Sequence, residues 1–223
     1  MSNNSSDSSN SSVNPRNIFV ISGPSGSGKT TLIKRLMALH PRIVFSTSHT
    51  TRTIRAGETH GKEYYFVSVE EFLRLRDNGE FVEWAEVYGN YYGTSLKEIE
   101  TKSVHRDENG GFTLVLDIDV QGAINIRKKY PEAQFVLITP PSMEELRNRL
   151  IIREQKIDAH FEHRLRIANE ELQQFNVYDY IVINDQLEEA FSILNSIFIA
   201  FQNTTARRAA FMKERFFSQG DKS

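Results

Sequence analysis

The stretch "NIFVISGPSGSGKTTL", residues 17–32, constrains this chain most: an apolar run ends in a glycine-rich corner and then turns helix-like. Gly23-Pro24-Ser25-Gly26-Ser27-Gly28-Lys29-Thr30 fits G-x-x-x-x-G-K-[ST]. Glycines let successive N–H groups close around a polyphosphate, and the following helix adds its positive end. Lys29 has the reach for β- and γ-phosphates, and the Thr30 hydroxyl suits Mg²⁺. Kinases, GTPases, ATPases and motors all use such loops, so the rest of the chain must discriminate.

From Asn17 onward, short apolar runs alternate with helix-period segments. "NIFVIS", "RIVFST", "FTLVLDID", "AQFVLIT" and "DYIVIND" read as strands, with helices over Lys29–Leu39, up to Lys129, after Pro141-Ser142 and up to Phe201. This rhythm predicts an α/β fold: a P-loop parallel sheet flanked by helices. Two stretches depart from it. Residues 49–97 read as a small mixed sheet ("KEYYFVS", "EFVEWAEVYG") around a short helix capped by Ser68-x-x-Glu71. Residues 142–175 read as a charged helix pair, and "ARRAAFMKERFF" as a C-terminal helix.

A formal net charge of −2 gives no reason to expect nucleic acid as partner. Zero cysteines exclude disulfides, zinc–thiolate sites and thiol nucleophiles. No apolar run approaches the ~18 residues of a membrane span. Residues 1–15, mostly Ser and Asn, are expected to be disordered and carry no targeting pattern, so the expected location is the cytoplasm. His49, His60, His105, His160 and His163 have no metal-ligand spacing and read as lone surface histidines.

Directly after the second strand, Arg52 and Arg55 can clamp a second phosphate bidentately, with Tyr64 and Tyr65 close behind. Glu83 with hydroxyls at Tyr92, Thr94 and Ser95 offers what guanine needs: a carboxylate for its N1–H and amino donors and a hydroxyl for O6. Tyr65 and Trp84 read as packing residues and Glu86 as a solvated charge.

Together these blocks closely resemble the guanylate kinases, P-loop enzymes that move a phosphoryl group from ATP to GMP. The resemblance runs from about Arg16 to Phe201 through "GPSGSGKTTL", "SHTTRTIRAGETHGKEYYF", "FVEWAEVYGNYYGTS", "LDIDVQGA", "ITPPSMEELRNRL" and "VINDQLEEA". It implies a core (16–47, 98–141, 171–204), a GMP-binding insertion (48–97) and a helical lid (142–170), with 205–223 a C-terminal helix and tail. GMP phosphate would be gripped by Arg52, Arg55, Tyr64 and Tyr92, with Glu58 orienting the arginines. The base would be read by Ser48, Glu83 and Thr94, assisted by Asp117. ATP would lie on Gly23–Thr31, with Asn184 beside the adenine. Mg²⁺ would be ligated by Thr30 and organised through water by Asp119. Catalysis would rest on Lys29, Arg52 and the lid arginines Arg149, Arg153 and Arg164, whereas Arg147 and Arg166 read as a solvated helix face. The partners implied are ATP and GMP, on a monomer or homodimer.

One departure from the family pattern stands out: Ile152 and Glu154 flank Arg153 where glycines are usual, which favours continued helix and a stiffer lid. A catalytically dead scaffold relative is disfavoured because Lys29, Thr30, Arg52, Arg55 and the lid arginines are all present. The "SHTTR" block with Glu83 and Thr94 argues against another P-loop kinase. A GTP switch lacks its N-K-x-D base reader here.

Overall fold

The apolar runs form one five-stranded parallel sheet in the computed structural model of the chain, which describes residues 17–87, 89–103, 112–154 and 159–217. Residues 1–15 and His105, expected respectively as a disordered tail and a surface histidine, lie outside the described residues. In chain order, β1 (Ile18–Ser22), α1 (Lys29–Leu39) and β2 (Ile43–Phe45) come first. Then follow β3 (His49–Thr50), β4 (Tyr65–Phe66), α2 (Val69–Asp77), β5 (Phe81–Val87), β6 (Asn90–Ser95) and α3 (Leu96–Ser103). The chain continues with β7 (Thr113–Asp117), α4 (Val120–Lys129), β8 (Gln134–Thr139), α5 (Met143–Glu154) and α6 (Ala159–Leu172). It ends in β9 (Tyr180–Ile183), α7 (Leu187–Gln202) and α8 (Thr205–Phe217).

The main sheet runs β2-β7-β1-β8-β9, all parallel, with β1 in the centre. Alternation along β1 sends Phe19 and Ile21 to one face, under α1 and α7, and Ile18 and Val20 to the other, under α4. Both faces are dry along β1, β7 and β8, which is why these inner strands read as unbroken apolar runs. Phe19 meets Phe198 edge-on at 5.2 Å and Phe201 at 5.1 Å. Truncating a buried phenylalanine of this kind to alanine costs about 3–5 kcal/mol.

The second sheet, β4-β3-β6-β5, is mixed: β3 and β4 are parallel, while β6 is antiparallel to both β3 and β5. Its α2 opens as the capping pattern predicts, with Ser68 Oγ accepting from Glu71 N at 3.1 Å. Phe72 stacks on Phe81 at 4.5 Å and on Tyr91 at 5.4 Å, giving this unit its own small core.

Two local details differ from expectation. "KEYYFVS" yields only the two-residue β4, because Gly61 turns the chain at φ 82 just before it. The polar segment 96–103, not anticipated as helix, forms α3, opened by Ser95 Oγ accepting from Glu98 N at 3.1 Å. Glu98 is buried and accepts from Thr47 N at 2.9 Å, so a charged group ties α3 to the segment leaving β2.

Candidate active site

The glycine corner leaves the C-terminal end of the central strand, the usual place for a ligand in a parallel α/β sheet. Two of its glycines are required by geometry. Gly28 caps α1 at φ 88, and a Cβ there would collide with the side-chain amide of Asn184. At Gly26 (φ 93) a Cβ would press on Leu146 Cδ1 at 3.0 Å and Leu150 Cδ2 at 3.2 Å. Lys29 points across the corner and pairs with Asp117 Oδ1 at 2.8 Å while donating to the Ile118 carbonyl at 3.2 Å.

A single cleft of about 980 Å³ opens from this corner. One wall is the loop 23–31; the other carries Ser48, Arg52, Arg55, Glu58, Tyr64, Glu83 and Tyr92. Asp117 and Asp119 form the floor, and Arg149, Arg153 and Arg164 overhang it. Every residue expected in the site lies on this surface except Thr94 and Asn184, which sit one layer behind it.

On the second wall, Arg52 Nη2 reaches Glu58 Oε1 at 2.8 Å and Nη1 donates to the Thr53 carbonyl at 2.7 Å. Glu58 Oε2 also accepts the backbone N–H of Arg55 at 2.8 Å, so one carboxylate organises both arginines. Burial opposes the charge on Arg52 and on Glu58, but their mutual bond wins, raising the arginine's pKa and lowering the glutamate's. Tyr64 and Tyr92 meet edge-to-face at 6.0 Å beside this pair. Burial pushes the Tyr64 hydroxyl well above its ordinary range, so it stays a donor.

Deeper in the wall, Glu83 of β5 pairs in register with Thr94 of β6, and Thr94 Oγ1 lies 3.2 Å from Ser48 Oγ. Burial pushes the Glu83 carboxyl up to about 8; the Thr94 hydrogen bond holds it back and the Asp119 charge adds to the rise. Its far side faces Gly122 in the first turn of α4, where a Cβ would stand 2.7 Å from Glu83 Oε2. The glycine therefore makes room for the carboxylate.

Asp119 caps α4, its Oδ1 accepting from Gly122 N at 2.7 Å, and burial raises its pKa. The overhanging arginines are already engaged. Arg149 binds Glu145 at 2.7 Å and the Asn184 carbonyl at 2.9 Å, and Arg153 donates to Ser25 Oγ at 3.0 Å. Asn184 in turn donates to the Ser27 carbonyl at 2.8 Å. With Leu146 and Leu150 against Gly26, α5 is fastened to the phosphate loop itself.

Arg147 lies on an exposed helix face, where it pairs with Glu162 at 3.0 Å and bridges α5 to α6. One expectation is corrected. His49 is a packing residue, 4.8 Å from the Tyr65 ring and 5.5 Å from Phe81, and burial lowers its pKa. Trp84 is 38% exposed and packs edge-on against Tyr91 at 6.2 Å, with the Arg76 guanidinium over its ring at 5.3 Å. The Glu154 side chain lies outside the described residues. Sequence reasoning missed Glu171, an α6 carboxyl on the cleft wall that burial pushes up to about 7, with Asp119 adding to the rise and Lys29 opposing it. Its position two turns beyond Arg164 on one helix was the available signal.

Comparison with known proteins agrees with this geometry. The family model for guanylate kinase matches residues 15–201. The guanylate kinase of Geobacter metallireducens is 44% identical over 199 residues, covering 89% of this chain and 96% of that protein. That of Thermotoga maritima is 44% identical over 180 residues, covering 81% and 84%. The crystal structure of guanylate kinase from Anaplasma phagocytophilum superposes with a TM-score of 0.70 at 37% identity, covering 89% of this chain and 94% of that one. The chain belongs to the guanylate kinase family.

Proposed function

We propose that this protein transfers the γ-phosphoryl group of ATP to GMP, giving ADP and GDP. The observation that carries the reading is a single cleft with a phosphate loop and Lys29 on one wall and a Glu58-organised arginine pair on the other. A donor on the loop and an acceptor on Arg52 and Arg55 then face each other.

Phosphoryl transfer asks the protein mainly for alignment and neutralisation of spreading charge. The loop N–H groups and the α1 N-terminus take the β- and γ-phosphates. Lys29 leaves Asp117 for those phosphates, which frees Asp117 to assist at the guanine. Arg52 and Arg55, with the Tyr64 and Tyr92 hydroxyls, aim the GMP phosphate in line. Arg149, Arg153 and Arg164 meet the charge that develops on the moving group. Glu83 accepts from guanine N1–H and the amino group, and the Thr94 and Ser48 hydroxyls serve O6; adenine offers no such donor pair. The base reader therefore works with Glu83 ionised.

Mg²⁺ fits the donor set. Thr30 presents an exposed hydroxyl at the loop, and Asp119 is an acceptor that burial leaves short of counter-charge. Mg²⁺ is usually held by one or two protein oxygens plus substrate phosphates rather than by an all-protein cage. When bound, it neutralises charge on the β- and γ-oxygens. The insertion 48–97 and the lid 142–170 close when both substrates bind, excluding water as a competing acceptor. Because α5 is fastened to the loop, the moving part of the lid is α6.

A coupled ADP-release assay with ATP–Mg²⁺ and GMP, AMP, CMP or UMP tests the reading. Turnover on GMP alone is expected. Preference for AMP would overturn the base reader, and tight nucleotide binding without turnover would favour a scaffold role.

A further inference from the structure

Glu171 lines the cleft but has no part in the transfer described above. It lies two turns beyond Arg164 on α6, and so on the same face of that helix. Its carboxylate acts electrostatically on Lys29 and Asp119 at the phosphate end of the cleft. Among the described residues its side chain makes no hydrogen bond. The structure thus places an acid where a polyanion is to bind.

We propose that Glu171 is a specificity-determining residue that makes the cleft select metal-loaded over metal-free ATP, and that its attraction to the loaded form draws α6, with Arg164, onto the transferring group. The inference rests on the phosphotransfer reading. Metal-free ATP brings only negative charge toward Glu171 and is repelled. A divalent cation on the β- and γ-oxygens reverses the sign of the nearest charge, and the same carboxylate then attracts it or accepts from its water shell. At an effective dielectric near 20, one charge roughly 12 Å away is worth about tenfold in affinity.

Glu171→Gln removes the charge at constant shape. Calorimetric titration of wild type and E171Q with ATP at about pH 9, where Glu171 is ionised although burial pushes its carboxyl up to about 7, in saturating Mg²⁺ and in chelator, gives the ratio of the two dissociation constants. The expected result is that this ratio falls about tenfold in E171Q, chiefly because metal-free ATP binds more tightly. E171D, which keeps the charge, retains the wild-type ratio. In steady state, E171Q loses kcat severalfold with KM for GMP unchanged. Melting curves check the folds, with E171A as a second neutral variant. A wild-type ratio in a folded neutral variant overturns the inference while leaving phosphotransfer intact. Wild type that binds neither form of ATP overturns the phosphotransfer reading, and the inference with it.

Discussion

The two walls of the cleft are built from different materials. The donor wall is backbone: glycines at positive φ, N–H groups at a helix start, and behind them Asn184, Leu146 and Leu150 holding the loop in shape. The acceptor wall is side chains: an arginine pre-paired with Glu58, and a buried Glu83 whose carboxyl is pushed up to about 8. Backbone amides carry no titratable charge and need little reorganisation when phosphates arrive. Side chains give selectivity for one base, but they must be held, desolvated and ionised to do so. Changes on the donor wall should therefore abolish chemistry, and changes on the acceptor wall should shift recognition and its pH dependence.

The largest effect is expected at Lys29. Lys29→Met should lower kcat by about a hundred- to a thousandfold, the loss expected when one preorganised donor to a developing charge is removed, while GMP affinity measured by calorimetry stays near wild type. A comparable loss of GMP affinity would break the division between the walls.

Glu83→Gln should lower kcat/KM for GMP by about a hundredfold, because a base-reading pocket left with a mismatched polar group discriminates strongly. KM for ATP should not move. A common decline in both would show that Glu83 supports the fold rather than the base.

The same carboxyl gives a pH signature. GMP needs the ionised form, so below about pH 8 affinity should weaken as pH falls, approaching tenfold per unit. E83Q should lose this dependence and keep only that from titration of the GMP phosphate, whose second pKa is about 6, which separates the two effects. Stability should move the opposite way. Glu83 is raised in the folded state above its unfolded value of about 4.3, so the folded protein binds more protons between the two values and loses stability as pH rises through that window. Melting temperature should fall from pH 5 to 8 in wild type and less in E83Q.

The smallest effect sharpens the comparison most. Gly122→Ala touches neither substrate, but its methyl would stand 2.7 Å from Glu83 Oε2. Displacing that carboxylate by a fraction of an ångström should raise KM for GMP about fivefold with kcat almost unchanged, as expected for a loss of uniform binding.

The two walls also differ in how legible they were. The donor wall follows from one stretch, because its chemistry belongs to the backbone and glycine spacing encodes backbone shape. The parallel sheet was legible for a related reason: strands buried on both faces must be apolar throughout, as β1 and β8 are. On the acceptor wall, residue types suggested a phosphate clamp and a guanine reader. Assigning Ser48, Glu58 and Asp117 to it needed the family resemblance, since their meeting depends on tertiary packing. Gly122 against Glu83 and Asn184 under Ser27 were invisible, because each joins residues far apart in the chain. His49 was misplaced on the surface because a two-residue strand has too few positions to reveal which way it faces.

The most direct test of the two-wall account is a crystal structure with GMP and a non-hydrolysable ATP analogue bound together with Mg²⁺. The account predicts Arg52 and Arg55 on the GMP phosphate, Lys29 moved from Asp117 to the β- and γ-phosphates, and the two phosphoryl groups in line across the cleft. A ternary complex in which Lys29 stays on Asp117, or in which the arginine pair points away from the monophosphate, would contradict it.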